Sequence, residues 1–207
     1  AYVGKFMWGL ADQRTLVANE EELTETFGAP DTSHSIDYHD AATFLRYSNT
    51  LQLLRVADSS ALNAVSTTGR RTVAKANYAV GNYSVPTVKN PTAFESQEAA
   101  LDSDGFTFIG RFPGSLGNSI CPPSIGDSAF SGWTYSGSFD AAPGASDFAG
   151  ANDATNDEVH VVVVDKNGEF TGTKGTVLET YPFLSVASNA VSLVDGSNIF
   201  VKDVINT

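Results

Sequence analysis

The first 58 of the 207 residues carry a dense series of start and stop signals, which predict a strand, two helices and a second strand in the order βααβ. Between residues 2 and 8, aromatic residues and glycine alternate with Val3, Lys5 and Met7. A period of two is typical of a strand that buries one face. The chain is therefore predicted to begin with a short strand.

The first predicted helix has signals at both ends. Asn19 precedes three consecutive glutamates, so that an amide cap and three negative charges meet the positive end of the helix dipole. Leu23 and Phe27 form one apolar stripe, and Gly28 followed by Pro30 ends the helix. These signals predict a short helix that begins directly after Asn19.

Asp37 repeats the start signal and predicts a second helix that ends near Asn49. The expected inward stripe of this helix is Tyr38, Ala41, Phe44 and Leu45. The run 51–56 follows with few polar residues, and it predicts a buried strand that completes the βααβ unit.

The remainder of the chain divides into two predicted parts. Residues 59–105 are rich in Ser, Thr, Asn and Gly and predict a connector, with a helix candidate only at 94–101. Residues 106–207 predict a mostly antiparallel β domain with a long loop over 124–156 that aromatic rings pin to a sheet. The whole chain is accordingly predicted to be α+β. The strands expected after residue 105 are 106–109, 159–164, 176–184 and 198–205.

Two turns are expected within this β part. The Asp165-Lys166-Asn167-Gly168 sequence predicts a tight hairpin, after which residues 169–171 pair back on the preceding strand. The Asp195-Gly196 pair predicts the turn before the last strand.

The charge balance excludes some classes of partner. The chain has 12 basic and 24 acidic residues, a net charge of −12, and no Lys or Arg between Arg111 and Lys166. Such a surface repels phosphate backbones, so direct nucleic-acid binding is not expected. No apolar run reaches the roughly 20 residues that cross a bilayer, so membrane insertion is not expected either. The single cysteine, Cys121, excludes an internal disulfide framework.

Three short matches resemble blocks of GDS-type serine esterases: Gly126-Asp127-Ser128, Gly150-Ala151-Asn152-Asp153 and Asp157-Glu158-Val159-His160. In those enzymes whole βα units of roughly 30 residues separate the blocks. Here all three lie within residues 126–160, which leaves no room for that scaffold. Short matches of this kind arise freely in loops rich in Gly, Ser and Asp.

Other chemical sites have weaker signals. His34 and His39 lie near three aspartates, and such groups are more often caps and surface residues than metal ligands. Cys121 has no basic neighbour in sequence to activate its thiol, and the downstream glutamate of a calcium loop is missing after Asp165. We therefore predict a chain that is not an enzyme and has no cofactor and no catalytic, cofactor-binding or metal-binding residue. The aspartates near the two histidines are Asp31, Asp37 and Asp40.

An ordered series of segments across roughly two-thirds of the chain resembles the contractile tail sheath proteins of bacteriophages of the T-even kind. Ile109 to Ser119 is similar to the arginine-tyrosine-proline-glycine segment of that family, and residues 159–172 with 177–179 resemble its β-hairpin and following strand. The remaining matches are Val3-Gly4-Lys5-Phe6, Trp8-Gly9, Phe27-Gly28-Ala29-Pro30, Phe44-Leu45, Tyr47 and Leu53-Leu54-Arg55-Val56-Ala57-Asp58.

The resemblance implies a structural subunit that polymerises as stacked hexameric rings around a tail tube and contracts to drive the tube through the host envelope. Its implied partners are further copies of itself, which exchange strands with their neighbours, the tail tube protein, and the baseplate and tail terminator proteins. The implied location is the virion tail sheath, assembled in the cytoplasm of the host bacterium. Residues 1–58 correspond to the first segment of the sheath core domain, 59–105 to the connector, and 106–207 to an outer domain.

Family members have an arm before the position of Ala1 and continue beyond Thr207, so we expect this chain to be a fragment whose outer domain is incomplete. A half scaffold is expected to expose an unpaired sheet edge or an apolar face. Two alternatives remain at this point: a β-rich binding module on a virion surface, which uses Trp133, Tyr135 and Phe139, and a GDS-type serine esterase.

Overall fold

The structure of the protein is a computed structural model, which describes residues 1–58, 60–67, 72–73, 87–103 and 106–206. The chain forms two compact units, Ala1–Ile120 and Cys121–Thr207. This division differs from the predicted boundaries after residues 58 and 105. Residues 59, 68–71, 74–86 and 104–105 of the predicted connector lie outside the described residues. The assignment of residues 1–58 to a sheath core and 106–207 to an outer domain stays a prediction.

The described elements mix helices with mainly antiparallel strands, as the predicted α+β class requires. The helices are α1 (Glu20–Phe27), α2 (Ser35–Leu45), α3 (Pro91–Ser103), α4 (Asp147–Ala151) and α5 (Val201–Ile205). The strands are β1 (Tyr2–Gly4), β2 (Arg14–Val17), β3 (Leu51–Arg55), β4 (Asn63–Thr67), β5 (Thr72–Val73), β6 (Phe106–Pro113), β7 (Ile120–Cys121), β8 (Ser124–Ile125), β9 (Glu158–Asp165) and β10 (Thr176–Ser185).

The first sheet of unit 1 contains a strand that the sequence analysis missed. Its described strands run in the order β1-β3-β2, with β1 parallel and β2 antiparallel to β3. The missed strand β2 lies between the predicted first strand and α1, so the observed order is ββααβ rather than βααβ. Its sequence Arg14-Thr15-Leu16-Val17 has β-branched residues and alternating exposure, a signal too short to identify by itself.

Helix α1 follows its capping signals closely. The Asn19 side chain accepts a hydrogen bond from the Glu22 amide at 2.8 Å, and the Glu22 carboxylate accepts one from the Ala18 amide at 2.7 Å. Gly28 ends the helix with φ +82°. The predicted first helix is confirmed because its two ends are set by residues adjacent in sequence.

Helix α2 begins two residues before Asp37 and ends at Leu45 rather than near Asn49. Asp31 organises the entry, because its carboxylate accepts hydrogen bonds from the backbone amides of Ser33 and His34. Asp37 instead accepts a hydrogen bond from the Tyr2 hydroxyl at 2.8 Å and therefore does not cap the helix.

The predicted inward stripe of α2 is correct for Tyr38, Ala41 and Leu45 but wrong for Phe44, whose side chain is 43% exposed. Positions three, four and seven residues after Tyr38 share its face of the helix. Position 44 lies about 120° away around the axis. Ala42 takes the place in the core that was assigned to Phe44.

The core of the first sheet lies between its strands and the helices α1 and α2. Side chains from one face of the sheet meet the apolar sides of both helices, and Phe6 contacts Phe27 with ring centroids 5.2 Å apart. The buried cluster consists of Phe6, Val17, Leu23, Phe27, Tyr38, Ala41, Ala42, Leu51 and Leu53.

Part of the predicted connector is ordered secondary structure within unit 1. Strands β4, β5 and β6 form an antiparallel sheet, and β6 extends to Pro113 because it pairs with β4 as far as Asn63. The buried Asn63 amide group donates to the Val88 and Gly110 carbonyls and accepts from the Val88 amide. The helix candidate at 94–101 is confirmed as α3, whose first turn is capped by Asn90.

Unit 2 is built on β9, whose four consecutive valines form the predicted strand. Strand β10 pairs antiparallel with β9, from Thr176 opposite Asp165 to Ser185 opposite Glu158, and the short strands β7 and β8 border its other side. Two register shifts interrupt the β9–β10 pairing, and Phe183 has φ +52° beside the second.

Two expectations for unit 2 are wrong. Residues 169–171 do not pair back on β9; residues 166–175 form a ten-residue loop instead, because the Asp165 carboxylate binds the loop backbone. The predicted strand 198–205 is mostly the short helix α5. The Asn198 side chain accepts from the Phe200 amide and donates to Asp203, which favours a helical turn over an extended strand.

Candidate functional site

The three esterase-like blocks within residues 126–160 do not form a catalytic site in the structure. His160 is fully buried, its Nδ1 accepts a hydrogen bond from the Phe183 amide at 3.0 Å, and Nε2 therefore carries the proton donated to the Ala141 carbonyl at 2.9 Å. With both ring nitrogens bonded to backbone, the imidazole cannot take a proton from a hydroxyl nucleophile. Ser128 lies exposed in a 3-10 turn, 127–132.

Asp157, the acid of the same constellation, ties together two segments of unit 2. Its carboxylate accepts hydrogen bonds from the Ser146 amide at 2.8 Å, the Ser146 hydroxyl at 2.7 Å and the Ser185 hydroxyl at 2.5 Å. Ser146 in turn caps α4 through the Ala149 amide. Burial opposes ionisation of Asp157, but the Ser185 and Ser146 hydrogen bonds outweigh it and hold the pKa of the carboxyl below its usual range.

The remaining members of the esterase blocks also have local roles. Asn152 donates from its side chain to the Phe148 carbonyl and follows the end of α4. Gly150 lies inside α4, Asp153 has φ +55° in the turn after it, and Gly126 precedes the 3-10 turn. These residues shape the surface loops of unit 2.

Of the histidine and aspartate residues near α2, Asp31 organises the helix entry, whereas the carboxylates of Asp37 and Asp40 accept hydrogen bonds from the Tyr2 hydroxyl. His34 Nδ1 lies 2.7 Å from the Asp31 carboxylate. Burial opposes ionisation of Asp31, but its hydrogen bonds with His34 and Ser33 dominate and lower the pKa of the carboxyl. His39 is exposed and packs edge-on against the Tyr38 ring. Among the described residues, no three His, Cys, Asp or Glu side chains come together as a possible metal site.

The aromatic residues of the long loop pack on one another around His160. The Phe139 ring stacks on the imidazole with centroids 4.3 Å apart and interplanar angle 6°, and Trp133 stacks on the other side of Phe139 at 5.6 Å. Phe130 and Phe183 meet the imidazole edge-on. The prediction that rings pin this loop to the sheet is confirmed. Trp133, Tyr135 and Phe139 are half-buried in these contacts, which reduces the ring surface that a binding module would offer.

A buried guanidinium organises unit 1. Arg55 donates from Nε to the Phe6 carbonyl at 2.9 Å, from Nη1 to the Gly9 carbonyl at 2.9 Å and from Nη2 to the Pro113 carbonyl at 2.8 Å. Burial lowers the pKa of Arg55 to about 10. Gly114 has φ +135°, and a Cβ there would lie 3.1 Å from the Met7 carbonyl oxygen and 3.3 Å from Nη2, which favours a glycine after Pro113. The sequence contains one signal for this structural role: Arg55 is a charged residue within the otherwise apolar pattern of the predicted strand 51–56.

The face of the first sheet opposite α1 and α2, here termed the outer sheet face, is uncovered by the described residues. Val3 is 63% exposed and Leu16 is 52% exposed, whereas Gly4 and Val17, on the inward side of the same strands, are buried. Pairing places Val3 beside Leu54, which is flanked on its other side by Arg14. The face consists of Val3, Arg14, Leu16, Gln52, Leu54 and the adjoining Val56.

Both edges of this sheet are also open within the described part of the chain, where β1 and β2 each pair with β3 alone. Open edges present backbone N–H and C=O groups that can pair with an added strand. The expectation of an unpaired edge or an apolar face on the first unit is therefore confirmed for the described residues. Several exposed apolar side chains on one sheet face are typical of interaction sites.

Comparisons with known proteins place these features in context. No family model matches the chain. The chain is 34% identical over 178 residues to a tail sheath protein of Salmonella phage ViI, covering 86% of this chain and 24% of that protein. It is 38% identical over 112 residues to the tail sheath protein of Enterobacteria phage T4, covering 51% and 17% respectively.

A tail sheath protein of Vibrio phage KVP40 is 40% identical over 60 residues, covering 29% of this chain and 9% of that protein. The chain thus spans about a quarter or less of the length of these curated relatives. No helix among the described residues has the length and apolar character that a membrane span needs.

Proposed function

The chain belongs to the family of phage tail sheath proteins, and we propose that it forms a structural segment of such a sheath. The observation that carries this proposal is the similarity to a sheath protein along 86% of the chain. The outer sheet face and open edges of unit 1 support it, because a polymerising protein needs surfaces of this kind. Two polar groups of the esterase blocks, Asp157 and His160, are engaged in structural hydrogen bonds, which fits a protein without catalysis.

The finer proposal follows the family resemblance. Copies of the complete sheath protein form stacked hexameric rings around a tail tube, exchange strands with their neighbours, and contract to drive the tube through the host envelope. The tube, baseplate and tail terminator proteins are the other proposed partners, and assembly takes place in the host cytoplasm. Rigid-body rotation of packed units, linked by shared strands, is a mechanism that keeps such an array connected.

Within this arrangement, residues 1–58 contribute to the sheath core, 59–105 join the two parts, and 106–207 belong to the outer domain. The open edges at β1 and β2 are the proposed sites for an added strand. The outer sheet face is the proposed contact for another part of the assembled sheath, since its apolar side chains are exposed in this chain.

A chimera tests the proposal directly. The matched segment of the Salmonella phage ViI sheath protein is replaced by this chain, and the purified chimera is examined by negative-stain electron microscopy beside the unmodified protein. Tubes or rings of the same diameter in both samples are expected. A folded chimera that stays monomeric at concentrations where the unmodified protein assembles would contradict the proposal. Ester hydrolysis that depends on Ser128 would instead support the esterase alternative.

The outer sheet face is tested in the same chimera with Leu16→Glu. A carboxylate at this position places a charge on the proposed apolar contact, so assembly is expected to be lost. The matched control is Ile36→Glu, which changes an exposed aliphatic residue on α2, the layer on the opposite side of the sheet. Assembly by Leu16→Glu equal to that of the control would remove the outer sheet face from the proposal.

A further inference from the structure

The loop between β9 and β10 contains the single Asn-Gly pair of the sequence, Asn167-Gly168. Such pairs are chemically labile, because the glycine nitrogen can attack the asparagine side-chain carbon Cγ. The new N–C bond forms as the C–N bond of the side-chain amide breaks, and the amide nitrogen leaves as ammonia. Water then opens the resulting succinimide to aspartate or isoaspartate, without any change of oxidation state.

The attacking atom of this reaction is held in the folded loop. The Gly168 amide donates its hydrogen to Asp165 Oδ1 at 3.0 Å. The Asp165 carboxylate is fully buried and also accepts from the amides of Glu169, Phe170 and Thr171, the last at 2.9 Å. Attack on Asn167 would break one bond of this set and rotate the backbone that the others fix.

The charge of Asp165 opposes the reaction as well. The Gly168 nitrogen becomes nucleophilic when it loses its proton, and the resulting anion would lie about 3 Å from a carboxylate oxygen. Two negative charges at that separation repel strongly outside bulk water. The hydrogen bond and the charge therefore both keep the glycine nitrogen protonated.

The conformation of the loop disfavours replacement of Gly168 by any other residue. Gly168 has φ +80°, and a Cβ at this position would lie 2.9 Å from the Lys174 backbone nitrogen and 3.0 Å from the Thr173 carbonyl carbon. A side chain in place of glycine would clash with backbone on the other arm of the loop. The loop therefore retains a reactive dipeptide and holds it in an unreactive geometry.

We propose that Asn167 is the deamidation site of this protein and that the Asp165 carboxylate keeps it unreactive while the loop is folded. Local opening of the loop releases the Gly168 amide and permits the reaction. Deamidation then adds a negative charge close to Asp165, and the isoaspartate product also lengthens the backbone by one carbon. This proposal concerns unit 2 alone and does not depend on the proposed function.

The test follows the loss of ammonia from Asn167 by peptide mapping and mass spectrometry, in mildly alkaline buffer. The first comparison needs no variant: the folded chain against the same chain in urea. Unfolding is expected to accelerate deamidation at Asn167 by roughly tenfold or more, because the hydrogen bond is lost and water screens the carboxylate charge. Equal rates in the two conditions would overturn the proposal.

The second comparison uses Asp165→Asn, which removes the charge at nearly constant shape, with Thr171→Val as the matched control. Thr171→Val deletes the 3.0 Å hydroxyl bond to Asp165 and leaves the Gly168 bond in place. Asp165→Asn is expected to deamidate roughly tenfold faster than the parent and Thr171→Val at nearly the parental rate. A folded Asp165→Asn chain, as judged by near-UV circular dichroism, with the parental rate would overturn the role of Asp165.

Discussion

Each unit of the molecule contains a fully or nearly buried charge, of opposite sign in the two units, and in both units the charged side chain is hydrogen-bonded to backbone groups. In unit 1 the 4% exposed Arg55 guanidinium donates to backbone carbonyls. In unit 2 the Asp165 carboxylate accepts from backbone amides. Backbone groups thus hydrogen-bond to both charged side chains. A single side chain can therefore fix an irregular segment that lacks the backbone hydrogen bonds of a helix or sheet.

The two charges differ in the distance along the chain over which they act. The acceptors of Arg55 are 46 to 58 residues away for its three shortest bonds, so this residue joins separate parts of unit 1. Asp165 binds amides three to six residues ahead, within its own loop. Loss of Arg55 should therefore destabilise a whole unit, whereas loss of Asp165 should chiefly open a loop.

The largest effect is expected for Arg55→Met, which leaves at least three buried carbonyls without their donor. We expect a loss of roughly 3 kcal/mol in the free energy of unfolding of unit 1. Urea denaturation measures this in a Trp133→Phe background, where Trp8 reports on unit 1 alone. Arg46→Met at an exposed site is the control. Equal urea midpoints for the Arg55 and Arg46 variants would show that the guanidinium does not hold unit 1 together.

A smaller effect is expected for Asp165→Ala, because water can reach many of the loop amides that it releases. We expect a loss of about 2 kcal/mol in the stability of unit 2, with faster amide exchange confined to residues 166–175. Hydrogen exchange with mass spectrometry checks both the size and the location. Asp140→Ala, at an exposed position of the same unit, serves for comparison. Exchange that rises equally throughout unit 2 would contradict the local role.

The pH dependence of unit 2 sharpens the comparison, since buried carboxylates titrate in acid and Arg55 does not. The Asp157 carboxyl has a folded-state pKa below its unfolded value of about 3.9. Its contribution is therefore complete above that value and is lost as the pH falls through the folded-state pKa. Asp157→Asn is expected to lower the free energy of unfolding of unit 2 by about 1 kcal/mol at pH 7. The difference between the unfolding free energies at pH 7 and pH 3 should therefore be smaller in this variant.

Trp133 fluorescence in a Trp8→Phe background reports the unfolding of unit 2 in this measurement. Ser185→Ala provides a matched variant, because it removes one hydrogen bond to Asp157 and keeps the carboxylate. The stability of unit 2 in Ser185→Ala should still fall at acid pH, but less than in the parent chain. An unchanged acid dependence in Asp157→Asn would assign that dependence to other carboxyls.

An effect as small as that of Asp157→Asn is expected at the cap of α1. Asn19→Ala removes the 2.8 Å hydrogen bond to the Glu22 amide and should lower the stability of unit 1 by about 1 kcal/mol. Urea denaturation with Trp8 as the reporter measures it, and Asn49→Ala at an exposed position is the control. A loss equal to that of Arg55→Met would mean that a local cap matters as much as the long-range guanidinium.

The expectations that succeeded rest on neighbours in sequence. The α1 boundaries follow from Asn19 and Gly28, and β9 follows from four stiff valines that favour extended backbone. The turn at Asp195-Gly196 also forms, with Gly196 at φ +74°. In each case the decisive interactions lie within a few residues, so a local pattern contains the necessary information.

The expectations that failed depend on partners that the local pattern does not contain. Asp165 is an exception, because its carboxylate binds amides only three to six residues ahead. The Asn-Gly signal predicts a tight hairpin, but the connection is a ten-residue loop. Strand β2 exists because β3 supplies its hydrogen bonds, and Phe44 is exposed because the core contacts another face of α2. A local apolar pattern does not specify which other segment of the chain will pack against it.

Short-range preferences and ordered residue matches are sufficient to predict the α+β class, the capped helix, the valine strand and the family resemblance. The three-dimensional structure was needed to show that Arg55 joins distant carbonyls, that aromatic rings pack around His160, and that the described residues leave the outer sheet face uncovered. The physical reason is that burial and hydrogen-bond partners are set by which segments meet in space, and many residues separate those segments along the chain.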